Sequence, residues 1–383
     1  MPRPSHRLSR SLAQWGVMAA CTALAWFWLN QMLARRGLTP EFSFLGYPAG
    51  FDMSESLTGY TGEHSYTQAL LAGTLNTLKV SAVAIVLSSC LGLMVALGRL
   101  SSNPLLSSVA SGYVELTRNV PLLLQLFAWY AAITVGLPGP RQALHPLPGM
   151  LATSRGFWFV TLQPTWDTAA FLAAATAGLL AGWFVLRQWQ RRHLAAGSMR
   201  RMHSSSTVGW LGSVAAGLLC AGLAARAGAV PAFDMPHLVG FSLQGGMYWS
   251  AELAALTAGL SVYTSGSLAE VFRGAIRSVP QGQIEAAESI GLGPLLRLRL
   301  VVMPQAMRFA IPPTTSQYIN IIKNSSLGVA IGYPDLVSVG NTVINQTGQA
   351  LAMVAIFMAI YLALGLAVTL AMRSLLVRVD RHA

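Results

Sequence analysis

The chain contains two lysines, Lys79 and Lys323, and their neighbours already limit its chemistry. A P-loop needs its lysine inside G-x-x-x-x-G-K-[S/T], where the ammonium reaches the nucleotide phosphates. Lys79 follows Leu78 and Lys323 follows Ile322, so the chain has no ATP site of that kind. Cys21, Cys90 and Cys220 stand singly inside apolar runs, without the CxxC spacing of a zinc site or the pattern of a disulfide framework. The seven histidines, at positions 6, 64, 145, 193, 203, 237 and 382, all fall outside the apolar cores. No metal or other cofactor is expected. What remains is a small set of polar groups in or beside apolar sequence: Glu115 with Arg118 and Asn119, Glu270 with Arg273, and Gln125, Lys323 and Asn324. Acids and bases at such edges either snorkel and bridge, or form a gate whose ion pairs rearrange. Lys323, Asn324 and Gln125 carry donors that could hold a carboxylate or an amide. A lysine so placed also serves to satisfy helix carbonyls or a neighbouring acid.

These groups sit in a sequence suited to a bilayer. Of 383 residues, 54% are hydrophobic and 10% charged, against about a quarter charged in soluble domains. The mean hydropathy is +0.52. The 25 basic residues exceed the 13 acidic ones, and they fall in short clusters between apolar runs. That is the pattern of membrane topology and lipid contact, so no nucleic acid is expected as a partner.

A spanning helix needs roughly 20 mostly apolar residues. Eight stretches are read as spans: 12–34, 68–98, 109–136, 167–187, 207–230, 248–272, 305–332 and 350–375. The fold class expected is all-α, a polytopic membrane protein with about eight transmembrane helices. The first span reads as an uncleaved anchor, because no A-x-A site follows it. Arg187, Arg191, Arg192, Arg200 and Arg201 crowd one connection, and Arg273, Arg277, Arg297 and Arg299 another. Residues 41–66 and 333–349 hold acids and neither lysine nor arginine. Basic connections face the cytoplasm, which puts both termini on that side. Residues 137–166, with five prolines, read as an external loop. Residues 305–332 are too polar to face lipid, since Pro312, Pro313, Gln317, Asn320, Lys323 and Asn324 lie within them. Such a segment must turn its polar groups to protein or to a wet cavity. It is either a partly re-entrant packing element or a helix lining a substrate route.

One basic connection has a second pattern. Pro280 suits the start of a short helix and Gly291 its end. Between them Ala286 and Ala287 are small enough for another protein to approach closely, and Glu285 and Glu288, three apart, share a face. Glu285-Ala286-Ala287, then Gly291, then Val301-x-Met303-Pro304 resembles the EAA motif of ABC importer permeases, with Val for Ile and Met for Leu. Asn76–Ser81, Glu115-x-x-Arg118-Asn119-x-Pro121, Ala269–Gly274 and Lys323–Leu327 resemble the polar amino-acid branch of that family. Residues 331–349 and the eight-span layout look like the larger permease subunit of general L-amino-acid transporters.

The resemblance implies a type I ABC importer permease (MetI-like) core and a transport subunit rather than an enzyme. It implies that the loop 278–304 couples to an ABC ATPase subunit through Glu285, Ala286, Ala287, Glu288, Gly291 and Pro304. A second permease subunit in a heterodimer, a periplasmic amino-acid-binding protein and a bacterial inner membrane are implied with it. The expected division is an anchor and periplasmic segment (1–67), a first core part (68–136), an insertion with two extra spans (137–247) and a second core part (248–383). The alternative is a stand-alone secondary transporter of amino acids or other polar solutes. It would favour an inverted repeat, and none is evident between the two halves.

Overall fold

The computed structural model describes residues 41–194, 202–240 and 242–380, with isolated positions between 16 and 32. Apart from those positions, the expected span 12–34 lies outside the described residues. The chain divides into two compact units, Met1–Tyr130 with Ala255–Ala383, and Ala131–Ala254.

In the first unit, a 3₁₀ turn at Ser43–Gly46 precedes α1, Tyr66–Arg99. Ser65 starts α1 with a reciprocal cap, its hydroxyl accepting from the Gln68 N–H while the Gln68 side chain accepts from the Ser65 N–H. Asn103 starts α2, Pro104–Asn119, by accepting from the N–H groups of Leu105 and Leu106. Val120 is extended, as a residue before proline prefers. The expected 109–136 span is therefore broken into α2 and α3, Leu122–Thr134. The Gln125 amide closes the break by donating to Thr117 O and Val120 O, both at 3.0 Å.

The chain returns to this unit along α6, Ala251–Arg277, after α4 and α5 of the other unit. It continues through α7, Gln281–Ser289, and α8, Pro294–Arg297. A π-helical turn at Leu298–Val302 leads into α9, Met303–Asn324. Pro304 has no N–H to bond four residues back, and the widened turn sits over that gap. After a 3₁₀ turn at Ser325–Ile331, Gly332 at φ +83° reverses the chain into α10, Leu336–Thr347. Asp335 Oδ1 caps α10 by accepting from Ser338 N–H at 2.8 Å. The last helix is α11, Ala350–Asp380. Its Ala352 and Met353 pack with Phe44, Tyr66, Ala69, Leu336 and Val339 in the main apolar core.

The second unit contains α4, Trp166–Leu194, and α5, Met202–Arg226. Gly178 and Gly182 form a G-x-x-x-G on α4. A Cβ at Gly182 would lie 2.7 Å from Ser213 Cα, and one at Gly178 would lie 2.6 Å from Ala216 O. The two backbones touch, which only glycine allows. Residues 137–166 are more ordered than an irregular loop. They carry β1, Met150–Thr153, β2, Gly156–Phe159, and β3, Thr161–Leu162. β4 (Phe233–Asp234), β5 (His237–Val239), β6 (Ser242–Gln244) and β7 (Met247–Ser250) follow α5. β1, β2 and β7 form an antiparallel sheet, with Met150 opposite Phe159 and Phe159 opposite Met247. β3 pairs with β4, and β5 with β6. The chain is predominantly helical, and these short strands depart from a purely helical expectation.

Among the described residues three helices are long and apolar enough to cross a bilayer: Tyr66–Arg99, Trp166–Gln188 and Ala350–Asp380. A fourth arises if Pro294–Ile331 and Leu336–Thr347, bent by 55°, count as one broken span. The expected count of eight is not reached by length and composition. Proline splits one expected span, α6 carries Glu252, Glu270, Arg273 and Arg277, and the first span is not described.

The α4–α5 contact is directly testable. In a background with Cys21 and Cys90 replaced by alanine, Gly182→Leu is expected to part the helices and raise maleimide labelling of Cys220 several-fold, as overpacking costs about 1–3 kcal/mol. Labelling at the unsubstituted rate would contradict the contact.

Candidate functional site

The 278–304 loop is built around α7. Pro280 is extended at ψ 134° and precedes the first helical residue. At the other end Gly291 N–H donates to Glu288 O at 2.8 Å, and Leu292 N–H to Ala287 O at 3.0 Å. With Gly291 at φ +77° this is a Schellman stop. The inner face of α7 is set by Ile284, which packs on Ala275, Val279, Val302 and Ala306. Ala287 is buried as well, at 3% exposure. Gly282, Glu285, Ala286 and Ser289, spaced three, four and seven residues from the first, form one exposed face.

The two alanines therefore differ. Ala286 offers an open small-residue surface, whereas Ala287 lets α7 settle against its own chain. The two acids differ too. Glu288 is ion-paired with Arg297 inside the loop, while the Glu285 carboxylate has no partner among the described residues. Pro304 follows the π-turn that joins the loop to α9.

A second group lies where α1, α2 and α6 meet. Glu270 Oε2 accepts from Arg273 at 2.7 and 3.1 Å. Its other oxygen pairs with Arg99, the last residue of α1. Arg99 Nε also donates to Ser111 Oγ at 3.2 Å. Glu115, Arg118 and Asn119 share an exposed face of α2 and lie outside these ion pairs. The four-residue gate suggested by Glu115, Arg118, Glu270 and Arg273 is thus divided, with Arg99 as the interhelical partner of Glu270.

The third group is on α9. Phe309, Pro313, Ser316, Asn320 and Lys323 recur at steps of four and three, and all are exposed. One face of this helix is therefore apolar at its start and polar toward its end. The Lys323 ammonium has no ionic or hydrogen-bond partner among the described residues, and Asn324 beside it is half-buried. Gln125 is differently placed, since its amide nitrogen already donates to the end of α2. Lys79, the other lysine, is ion-paired with Glu55.

Comparison with known proteins places this arrangement. Residues 209–381 match the family model described as the binding-protein-dependent transport system inner membrane component. The putative amino-acid ABC transporter permease protein YhdX of Escherichia coli is 42% identical over 363 residues, covering 93% of this chain and 90% of that protein. The general L-amino acid transport system permease protein AapQ of Rhizobium johnstonii is 39% identical, covering 85% and 80%. A third relative, from Rhodobacter capsulatus, is the glutamate/glutamine/aspartate/asparagine transport system permease protein BztB. It is 30% identical, covering 85% and 82%. The chain belongs to the amino-acid ABC transporter permeases. It is a multi-pass inner-membrane transport subunit and not an enzyme, and ATP hydrolysis in such systems resides on a separate subunit. Partners of the ATPase and binding-protein classes follow from the family. A stand-alone transporter is set aside.

In this permease some residues were not singled out from sequence. Arg99 is merely the basic residue closing an apolar run until its partner on α6 is known. Ile290 and Leu295, at 75% and 81% exposure, flank the end of α7. Their visible signal was apolar side chains on either side of a helix-stopping glycine. Ser316 extends the polar stripe and could have been found from its spacing to Asn320 and Lys323.

The Schellman stop yields a local prediction. A β-branched residue at positive φ is strongly disfavoured, by about 1–2 kcal/mol or more, so Gly291→Val is expected to speed amide hydrogen exchange across 286–292 by roughly tenfold. Unchanged exchange there would show that the stop does not depend on the glycine.

Proposed function

We propose that this permease carries L-amino acids from a periplasmic binding protein to the cytoplasm by alternating access, and that α7 is the helix docking on a separate ATPase subunit. The observation carrying this is the two-sidedness of α7. Its inner face is fixed by Ile284 and Ala287, and its outer face presents Gly282, Glu285, Ala286 and Ser289. Ile290 and Leu295 supply apolar anchors beside that face, and Glu285 supplies a free charge. Such a mixture suits a partner's cleft.

Ile284 contacts a cluster drawn from the end of α6 and the start of α9, so force on α7 is passed to both helices. The ATPase biases the permease only through different contacts in its open and closed states. α7 meets that need as a short rigid rod, closed by a proline at one end and by a main-chain lock at the other.

The amino-acid class is supported by the three relatives, each named as a permease of amino-acid systems. The exposed face of α9 suits such a cargo. Ser316 and Asn320 offer neutral hydrogen bonds, and Lys323 offers a cation to the α-carboxylate common to all amino acids. Glu115, Arg118 and Asn119 extend the polar surface at the end of α2, and Glu270 with Arg273 stands near the start of the coupling segment. A second, different permease is the natural partner, with both termini cytoplasmic and eight spans in place. The arginine-rich connections support that orientation. The division into 1–67, 68–136, 137–247 and 248–383 belongs to the same reading.

Two experiments test it. Ala286→Arg is expected to abolish ATPase pull-down at least tenfold without lowering the thermal midpoint of the permease, and pull-down at full strength would sink the docking role. Lys323→Ala is expected to reduce proteoliposome uptake of amino acids about tenfold, with Lys323→Arg retaining most of it. Equal uptake by all three proteins would remove Lys323 from the route.

A further inference from the structure

Three helices of the core meet in a close-packed joint. A Cβ at Gly92 of α1 would lie 2.8 Å from Leu268 Cβ and 3.1 Å from Ser265 O, both on α6. A Cβ at Gly266 of α6 would lie 2.2 Å from Thr117 Oγ1 on α2. Ala96, Val114 and Ala269, one from each helix, are buried together between them. The Tyr113 and Ser265 hydroxyls are hydrogen-bonded at 2.6 Å across α2 and α6. Interiors packed this closely transmit displacement instead of absorbing it.

The ionic group lies at the end of this joint that leads to the coupling loop. Glu270 shares its two oxygens between two arginines, and the two bonds are not equivalent. Arg273 is three residues along the same helix, so its pair with Glu270 restrains nothing between helices. Arg99 belongs to α1, and through Ser111 it also holds α2. Its guanidinium therefore ties three helices at one point. Seven residues beyond Glu270, α6 ends at Arg277, and α7 begins four residues later at Gln281. α6 is thus the covalent link between the joint and the coupling helix.

We propose that Arg99 is a positioning residue of the transport step, locking α1 and α2 to α6 so that movement of α7 reaches α1 as a rigid displacement. Without it α6 turns under the ATPase stroke while α1 lags, and hydrolysis proceeds without transport. The proposal rests on α7 docking an ATPase, and its test reads a different quantity from the pull-down that tests docking.

The experiment uses the assembled transporter, with its second permease, ATPase and binding protein, in proteoliposomes. ATP hydrolysis and uptake are measured together with a radiolabelled equimolar mixture of the common L-amino acids. Arg99→Ala is expected to keep ATPase pull-down, and to keep binding-protein-stimulated hydrolysis within about twofold. Uptake should fall at least tenfold, so that ATP consumed per amino acid rises by a similar factor. Arg99→Lys keeps the charge and most of the reach, and should restore at least half of the lost coupling. Arg308→Ala, which removes an ion pair with Asp380 away from this joint, should leave the ratio near that of the unsubstituted protein.

Parallel loss of hydrolysis and uptake in Arg99→Ala, an unchanged ratio, or equal uncoupling by Arg308→Ala would each overturn the proposal. If Arg99→Ala does not assemble, Arg99→Gln is read in the same assay with the same outcomes. Pull-down by the Ala286→Arg variant is scored separately, so failure of docking and failure of locking remain distinct.

Discussion

About 30 Å of uncharged helix separates Lys79 from Arg99, since twenty residues rise by 1.5 Å each. That is the thickness of a bilayer's hydrocarbon core, and α1 carries no other charge between Tyr66 and Arg99. Each of its two cations meets an acid from elsewhere in the same unit, Glu55 in the segment before α1 and Glu270 on α6. Small and polar residues before Lys79, and Gly92 between the two clamps, let other elements approach α1 closely. Gly73 lies against the Asp335–Val339 turn, and Gly92 lies against α6. Asn76 and Thr77 hold the break before α10 by hydrogen bonds to Pro334 O and from Leu336 N–H. One apolar helix, with a paired cation at each end of its uncharged stretch, is thus the strut to which the bent α9–α10 segment and α6 are fitted. A charge in a bilayer must find a partner or reach water, and α1 is arranged around that requirement.

The same requirement explains which features the sequence exposed and which it hid. Local chemistry was legible. Pro280 and Gly291 bracket a short helix because both act on the backbone at their own positions, and Tyr66–Arg99 and Ala350–Asp380 are long apolar runs with no competing pattern. The direction in which a short helix turns its small residues was not legible. Ala286 and Ala287 are adjacent and chemically identical, and only the packing of Ile284 decides which faces outward. The second partner of Glu270 was equally hidden, because the sequence set Arg273 beside it and pairing with Arg99 depends on how α1 crosses α6. Gln125 shows a different difficulty. Its amide looked free for a substrate, but a proline-broken helix leaves carbonyls unsatisfied, and the nearest donor closes them.

The second unit adds a lesson about weak patterns. A G-x-x-x-G in an alanine-rich run has little meaning by frequency alone, yet Gly178 and Gly182 both face α5 at distances that exclude any side chain. The strands around this hairpin were obscured for a related reason. Their segments are two to four residues long, too short for alternation to be visible, and two of the pairings, β2 with β7 and β3 with β4, join residues before α4 to residues after α5.

The end of α7 is defined by two main-chain hydrogen bonds and one glycine, not by the side chains on its outer face. Geometry and recognition are therefore written on different atoms. With α7 docked on an ATPase as proposed, residues 282, 285, 286 and 289 can change with that partner without altering where the rod stops. On that reading a different partner can be accommodated by surface substitution alone, with the length of the rod unchanged.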